Sequence, residues 1–233
     1  NQRSIQSFGL LCDEIARASH GCSDEAFLIL CRAMVTKALS TARCTCFTRR
    51  VILPRIKSLP KTVSRVLFMA LAHVSSLHPG PVTKGLLVPI IEFDKVSAVH
   101  SDIIRRLVQG HSKSPVYAEL VRDLMQSLAD APGSSAHVSK SSTEARATVM
   151  QELLSKIPPS YMNLACGKSV LDWASGAVQA FPKSLKVANV LFRFVQHKSV
   201  ARQLKSELSE ILLGVQSFMK KTITNKIAKL PSD

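Results

Sequence analysis

Apolar residues recur along this chain at intervals of three and four, the signature of helices that bury one face. The last stretch, SFMKKTITNKIAKL (217–230), shows the pattern plainly. Met219, Ile223, Ile227 and Leu230 follow a spacing of four, four and three and share one stripe. Phe218 does not join them. At about 100° per residue it lies roughly 120° from the centre of the stripe. Its neighbours there are Lys221, Thr222, Asn225 and Lys229. An aromatic ring on the charged side of a helix is either covered by another helix or displayed to a partner.

The same periodicity predicts helices elsewhere. Ile5, Phe8, Leu11, Ile15 and Ala18 form a first stripe. SDEAFLILCRAMVTKAL (23–39) opens on a serine cap and two acids, which suit the helix dipole. FTRRVILPRIKSL (47–59) contains Pro54, which predicts a kink or two short pieces. TVSRVLFMALAHVSSL (62–77) is apolar enough to be buried on two sides. GPVTKGLLVPIIEF (80–93) is bracketed by Pro81 and Pro89, and SAVHSDIIRRLVQG (97–110) stops at Gly110. SPVYAELVRDLMQSLAD (114–130) carries Pro115 in its first turn. Helices over 142–157, 168–181, 183–197 and 199–212 precede the terminal one. APGSSAHVSKSS (131–142) reads as a flexible loop.

No stretch has the alternation of a strand or the turn signals of a hairpin. About a dozen short helices, at roughly 35–45 residues per pair, are the format of a helical-repeat solenoid. The expected fold is therefore all-α, a right-handed or irregular HEAT/ARM-like solenoid, forming a single domain over 1–233. No crisp repeated consensus stands out. The chain starts at Asn1 without an initiator Met, so the reading expects the C-terminal part of a longer protein.

Composition supports a folded helical chain. Hydrophobic residues make up 46% and charged residues 20%, and aromatics are few. No apolar run approaches the roughly 18 residues needed to cross a bilayer, and no membrane is expected among the partners. The N-terminus lacks a signal-peptide layout. Six irregularly spaced cysteines read as free thiols of a reducing compartment.

Charge changes the picture more. The formal net charge is +15, and no acidic residue occurs between Glu25 and Glu92. Ten basic residues fall in that interval, and a solvated face usually mixes signs. Arg49, Arg50, Arg55, Lys57, Lys61 and Arg65 are its candidate docking cations. An ordinary solvated face is the bland alternative. Sequence-blind nucleic-acid binding by the 32–84 surface is the other, because no recognition helix or base-stacking aromatic pair accompanies the charge.

Catalytic chemistry finds no constellation. GPVTKG lacks the spacing of a phosphate loop, and the seven histidines are scattered. Cys44 and Cys46 are half of a metal site with no second half at finger-like distance. Glu119 and Asp123, four apart, are a commonplace helix pair. Trp173 and Cys31 read as core residues. The expectation is a protein that is not an enzyme and has no cofactor and no metal.

Two segments carry a resemblance. FTRRVILPRIKSLPKTVSRVLFMALAHV and GPVTKGLLVPII resemble the C-terminal domain of the Fanconi anaemia complementation group E family. The matching positions are Thr48, Arg49, Arg55, Ile56, Ser58, Leu59, Ser64, Arg65, Leu67, Ala70 and Leu71. Pro81, Val82, Leu86, Leu87 and Pro89 continue them. SFMKKTITNKIAKL is similar to the family's closing helix. The resemblance is clearest over 47–91 and weakest over 110–165. It implies a non-catalytic helical-repeat adaptor in the nuclear ubiquitin-ligase core complex that answers DNA interstrand crosslinks. It implies binding to the group C subunit, to other core-complex subunits and to the group D substrate that is monoubiquitinated. It also implies that a Phe-aliphatic pair of the last helix meets that substrate. Here the pair is Phe218 and Met219, with Lys221 on the rim.

Overall fold

The computed structural model describes residues 2–59, 61–111, 117–130, 139–158 and 161–230, and among them every regular element is helical. The helices are α1 (Gln2–Ala18), α2 (Asp24–Met34), α3 (Thr41–Phe47), α4 (Leu53–Lys57), α5 (Arg65–Leu77), α6 (Pro79–Val82), α7 (Val88–Ile91) and α8 (Ala98–Gly110). There follow α9 (Tyr117–Asp130), α10 (Lys140–Lys156), α11 (Leu164–Ala180), α12 (Leu185–Phe194), α13 (Lys198–Gln203), α14 (Lys205–Gly214) and α15 (Met219–Ala228). Two π-helical turns, Thr48–Ile52 and Thr83–Leu87, join α3 to α4 and α6 to α7.

The contacts gather the chain into two compact units, 1–90 with 98–120 and 91–97 with 121–233. In the first unit α2 packs along α5 and α5 along α8, while α1, α3 and α6 stack in a second row. In the second unit α10 packs on α12 and α12 on α15, while α11 lies against α14. Each unit is thus two rows of helices.

Side-chain hydrogen bonds give the period of the stacking. In the first unit they join Arg43 to Ser4, Ser64 to Asp24, His78 to Thr36 and His100 to Ile56, at separations of 39, 40, 42 and 44 residues. In the second they join Ser169 to Gln126, Ser184 to Glu144, Gln151 to Lys186 and His197 to Leu154, at 43, 40, 35 and 43. These bonds tie segments one repeat apart to each other. This is the all-α helical-repeat fold expected from helix length and apolar density.

The π turns expose a repeat that composition hides. Thr48-Arg49-Arg50-Val51-Ile52-Leu53-Pro54 and Thr83-Lys84-Gly85-Leu86-Leu87-Val88-Pro89 share one pattern: threonine, cation, variable, three aliphatics, proline. In both, the threonine hydroxyl donates to the carbonyl four residues back, Cys44 at 3.0 Å and Pro79 at 2.9 Å. In both, the residue before proline donates its N–H five residues back, Leu53 to Thr48 and Val88 to Thr83. Proline has no N–H and its ring crowds the carbonyl four residues earlier. The wider π turn relieves that conflict, so the helix passes through proline instead of ending. Of the two expectations at Pro54, that of two short pieces is corrected: helical geometry runs unbroken from Thr41 to Lys57 through the first π turn, and from Pro79 through Pro89 to Ile91 by way of the second.

Other boundaries moved for local reasons. α2 ends at Met34 rather than 39, because Val35 turns to extended geometry and is buried. The expected 199–212 helix breaks at Leu204, which is buried along with Val200. A Cβ on Gly167 would meet Val200 Cγ1 at 2.4 Å, so this glycine permits the close approach. Of the expected loop 131–142, residues 131–138 lie outside the described residues. Ser139 is the N-cap of α10, its hydroxyl accepting from the Ser142 N–H, and 140–142 are helical. Pro115 also lies outside the described residues.

The first stripe is rotated. Ile5, Leu11 and Ala18 are exposed, and the side of α1 turned inward carries Phe8, Gly9, Cys12 and Ile15. A Cβ on Gly9 would touch the Arg50 guanidinium at 3.5 Å, which shows the face that meets the next repeat.

Candidate protein-docking and basic surfaces

α15 is built as its pattern predicts. Ile223 and Ile227 are buried, Leu230 just beyond the helix is buried, and Met219 is half-buried. Phe218 stands at the N-cap position and is 79% exposed. The residues placed beside it, Lys221, Thr222, Asn225 and Lys229, are exposed as well. The other two lysines are used internally. Lys220 Nζ donates to the Leu213 carbonyl at 3.0 Å, at the C-terminal end of α14, where a cation suits the dipole. Lys226 Nζ lies 4.5 Å from the centre of the Phe192 ring on α12. The face that keeps Phe218 thus also keeps the uncommitted lysines.

One residue escaped the sequence reading. Leu213, at the end of α14, is 77% exposed. Among the described residues it and Phe218 are the two most exposed large apolar side chains. The Lys220 bond ties the start of α15 to the backbone of Leu213. Leu212 beside it is buried, and the leucine pair alone does not tell which member faces outward.

The basic candidates divide. Arg55 is held inward. Its Nη2 lies 2.7 Å from Asp24 Oδ1 and donates to the Cys22 carbonyl at 2.8 Å, and its guanidinium sits 4.6 Å from the centre of the Phe27 ring. Burial alone would raise the Asp24 carboxyl, but the Ser64 hydroxyl and Arg55 outweigh it and hold that carboxyl below its ordinary range. Arg50 is exposed and paired with Asp13. Arg49, Lys57, Lys61 and Arg65 are exposed. The two carboxylates that reach into the acid-free interval, Asp13 and Asp24, both come from outside it.

The cysteines are free thiols, and burial pushes Cys12 and Cys31 up to about 12 and Cys44 to about 11. For Cys12 the neighbouring Cys46 adds to that shift. These thiols stay protonated and are poor nucleophiles at neutral pH. Among the described residues no three His, Cys, Asp or Glu side chains gather as a metal would need. None of the described helices is long and apolar enough to cross a membrane. Trp173 and Cys31 are core residues, as their patterns predict.

No curated protein matches the chain. A family model does, the one described as Fanconi Anaemia group E protein FANCE, over residues 2–132. That span holds nearly all of the first unit, both π turns and the two segments over 47–91 that carried the resemblance; it ends before α10 and does not reach the closing helix 217–230. It is more than half of the 233 residues, and the chain therefore belongs to the Fanconi Anaemia group E protein family.

Proposed function

We propose that this chain is a non-catalytic adaptor of the nuclear Fanconi anaemia core ubiquitin-ligase complex, bridging the group C subunit to the group D substrate for its monoubiquitination. The observation that carries the substrate side of this reading is Phe218. It is exposed on a helix whose remaining large apolar residues are turned inward. An apolar centre with a charged rim is how a protein-docking anchor is built. Lys221 and Lys229 supply the rim, and Leu213, whose carbonyl accepts from Lys220, is a second exposed apolar side chain on the preceding helix. Met219, half-buried, positions the ring more than it contacts a partner.

The test is a calorimetric titration of the purified group D substrate with wild type, Phe218→Ala and Leu213→Ala. Truncating an interface aromatic anchor costs about 2 kcal/mol or more, roughly a 30-fold loss of affinity. Truncating an exposed side chain changes stability by less than about 0.5 kcal/mol. The expected outcome is lost binding at an unchanged melting point. Undiminished binding by Phe218→Ala would remove the ring from the interface, and a lower melting point would make it a core residue.

A further inference from the structure

We propose that the exposed cations of the two π turns, Arg49 and Lys84, head a contact for the phosphate backbone of duplex DNA that reads charge and not sequence. The argument starts from the repeated heptapeptide, which puts a cation directly after the threonine in both copies. Both threonines are buried and both following cations are exposed. The two turns are stacked closely: a Cβ on Gly85 would stand 2.1 Å from Thr48 Oγ1 and 2.9 Å from the Thr45 carbonyl. Arg49 and Lys84, next along the chain to those touching residues, are thus presented one repeat apart. Packed helices sit about 8–10 Å apart, so the two turns that carry the cations lie within about that distance.

Among the described residues neither Arg49 nor Lys84 is held in an ion pair. No carboxylate occurs from Arg32 to Lys84, and Asp13 and Asp24, which reach in from earlier helices, pair with Arg50 and Arg55. Lys61 and Arg65 extend the same acid-free interval and are exposed. π turns in helices are often placed at functional positions.

The surroundings select the partner class. A protein interface has an apolar centre and disfavours lysine, whereas nucleic-acid interfaces are polar and strongly cationic. Among the described residues between Arg32 and Lys84, Met69 is the single large apolar side chain that is exposed, against a majority of exposed cations. Proteins that grip single strands offer exposed aromatics on which bases stack. In the first unit Phe27 and Phe47 are buried, and Phe8 and Phe68 lie half-buried beneath Arg43 and Arg106. A charge ladder on stacked helices, with none of these four rings exposed, fits a rigid duplex.

The experiment uses the whole chain and a short fluorescein-labelled duplex DNA of random sequence. Anisotropy is followed as salt rises from about 50 to 200 mM, where backbone contacts show a log–log slope of about −0.9 per phosphate neutralised. Arg49→Gln/Lys84→Gln is expected to flatten the slope by about 1.8 and to weaken binding about eightfold per contact at 0.1 M salt. Its circular dichroism is expected to be unchanged, because both side chains are exposed. Lys221→Gln, in the second unit, is the control and is expected to leave the slope alone. The proposal falls if the double variant keeps the wild-type slope, or if Lys221→Gln flattens it equally. It also falls if polyglutamate displaces the DNA as well as unlabelled DNA does.

Discussion

Gly85→Ala is the sharpest probe of how the repeats meet, because two opposing effects differ in sign. Alanine is the better helix former by about 1 kcal/mol, so in open space the substitution stabilises. In the second π turn the space is not open. The new methyl would lie 2.1 Å from Thr48 Oγ1, 3.2 Å from Thr48 Cβ and 2.9 Å from the Thr45 carbonyl oxygen. Thr48 is fully buried and its hydroxyl is committed to the Cys44 and Thr45 carbonyls at 3.0 and 2.9 Å. Turning it away sacrifices a hydrogen bond worth about 1 kcal/mol, and the Thr45 carbonyl is backbone that moves only with its helix. Overpacking of this kind costs about 1–3 kcal/mol. The clash therefore outweighs the propensity gain, and a net loss of about 1–3 kcal/mol is expected.

Urea unfolding followed by far-ultraviolet circular dichroism measures this, with the midpoint falling and the slope unchanged. For a chain of this size each kcal/mol lowers the melting temperature by about 2–4 °C. Gly110→Ala is the control, since a Cβ there meets nothing within 4 Å and the site ends α8. It is expected to be neutral or stabilising. Thr48→Ala removes the nearest opposing atom. In the double variant the two costs should fall short of their sum by about 1 kcal/mol, the sign of directly touching residues. If Gly85→Ala is as stable as wild type or more so, the π turns do not approach as described.

Three further outcomes follow from other buried or displayed groups. Arg146 is 1% exposed and donates from Nε to the Ile91 carbonyl at 3.1 Å and from Nη2 to the Phe93 carbonyl at 2.9 Å. Arg146→Met strands two carbonyls at about 1–3 kcal/mol each, read as a lower urea midpoint, and Arg146→Lys recovers only part because it lacks the planar fork. His100 Nε2 donates to the Ile56 carbonyl at 3.3 Å, and burial lowers the pKa of both His100 and His111. Below about pH 6.5 the unfolded chain binds protons that the folded chain refuses, so stability falls as pH drops from 7 towards 5. His100→Gln/His111→Gln should flatten that fall, and a wild-type stability independent of pH over the range would refute it. Phe218→Ala should leave both the urea midpoint and its pH dependence untouched, which separates the displayed ring from all of these core effects.

What the sequence made legible depended on whether one helix or two set the outcome. The inward stripe of α15 followed from its own spacing, and so did the displacement of Phe218 from it. The serine cap at Ser23 accepts the N–H of Ala26 and starts α2 where residue type predicts, whereas Ser64 accepts the N–H of Leu67 and starts α5 inside the expected 62–77 segment. α1 failed this test. Its apolar residues cover more than half its circumference, and only contact with α3 and the first π turn decides which of them are covered. Helix 199–212 failed for a similar reason, because the break at Leu204 suits a glycine on another helix. Arg55 looked like a surface cation in an acid-free run. The carboxylate that claims it lies 31 residues earlier, a distance no local pattern reports.

The repeated heptapeptide was hidden because the ordinary rules discount its most visible residues. Proline inside an apolar helical run argues for a stop, at a cost of about 3 kcal/mol if the helix continues. Threonine in the same run argues for weak helix propensity. Taken separately, Pro54 and Thr48 look like two flaws in one segment, and Pro89 and Thr83 like two in another. Taken together they form one device. The threonine hydroxyl binds the carbonyl four residues back, and the helix widens so that the following N–H reaches five back. Proline then fits without breaking the rod. The device also settles which way its residues point, placing the threonine in the core and the next residue at the surface. A cation at that next position in both copies is therefore held by buried geometry. Thr48→Val, isosteric but without the hydroxyl, tests this directly. If the hydroxyl shapes the turn, the variant loses more stability than the roughly 1 kcal/mol of one neutral hydrogen bond and the DNA contact at Arg49 weakens with it.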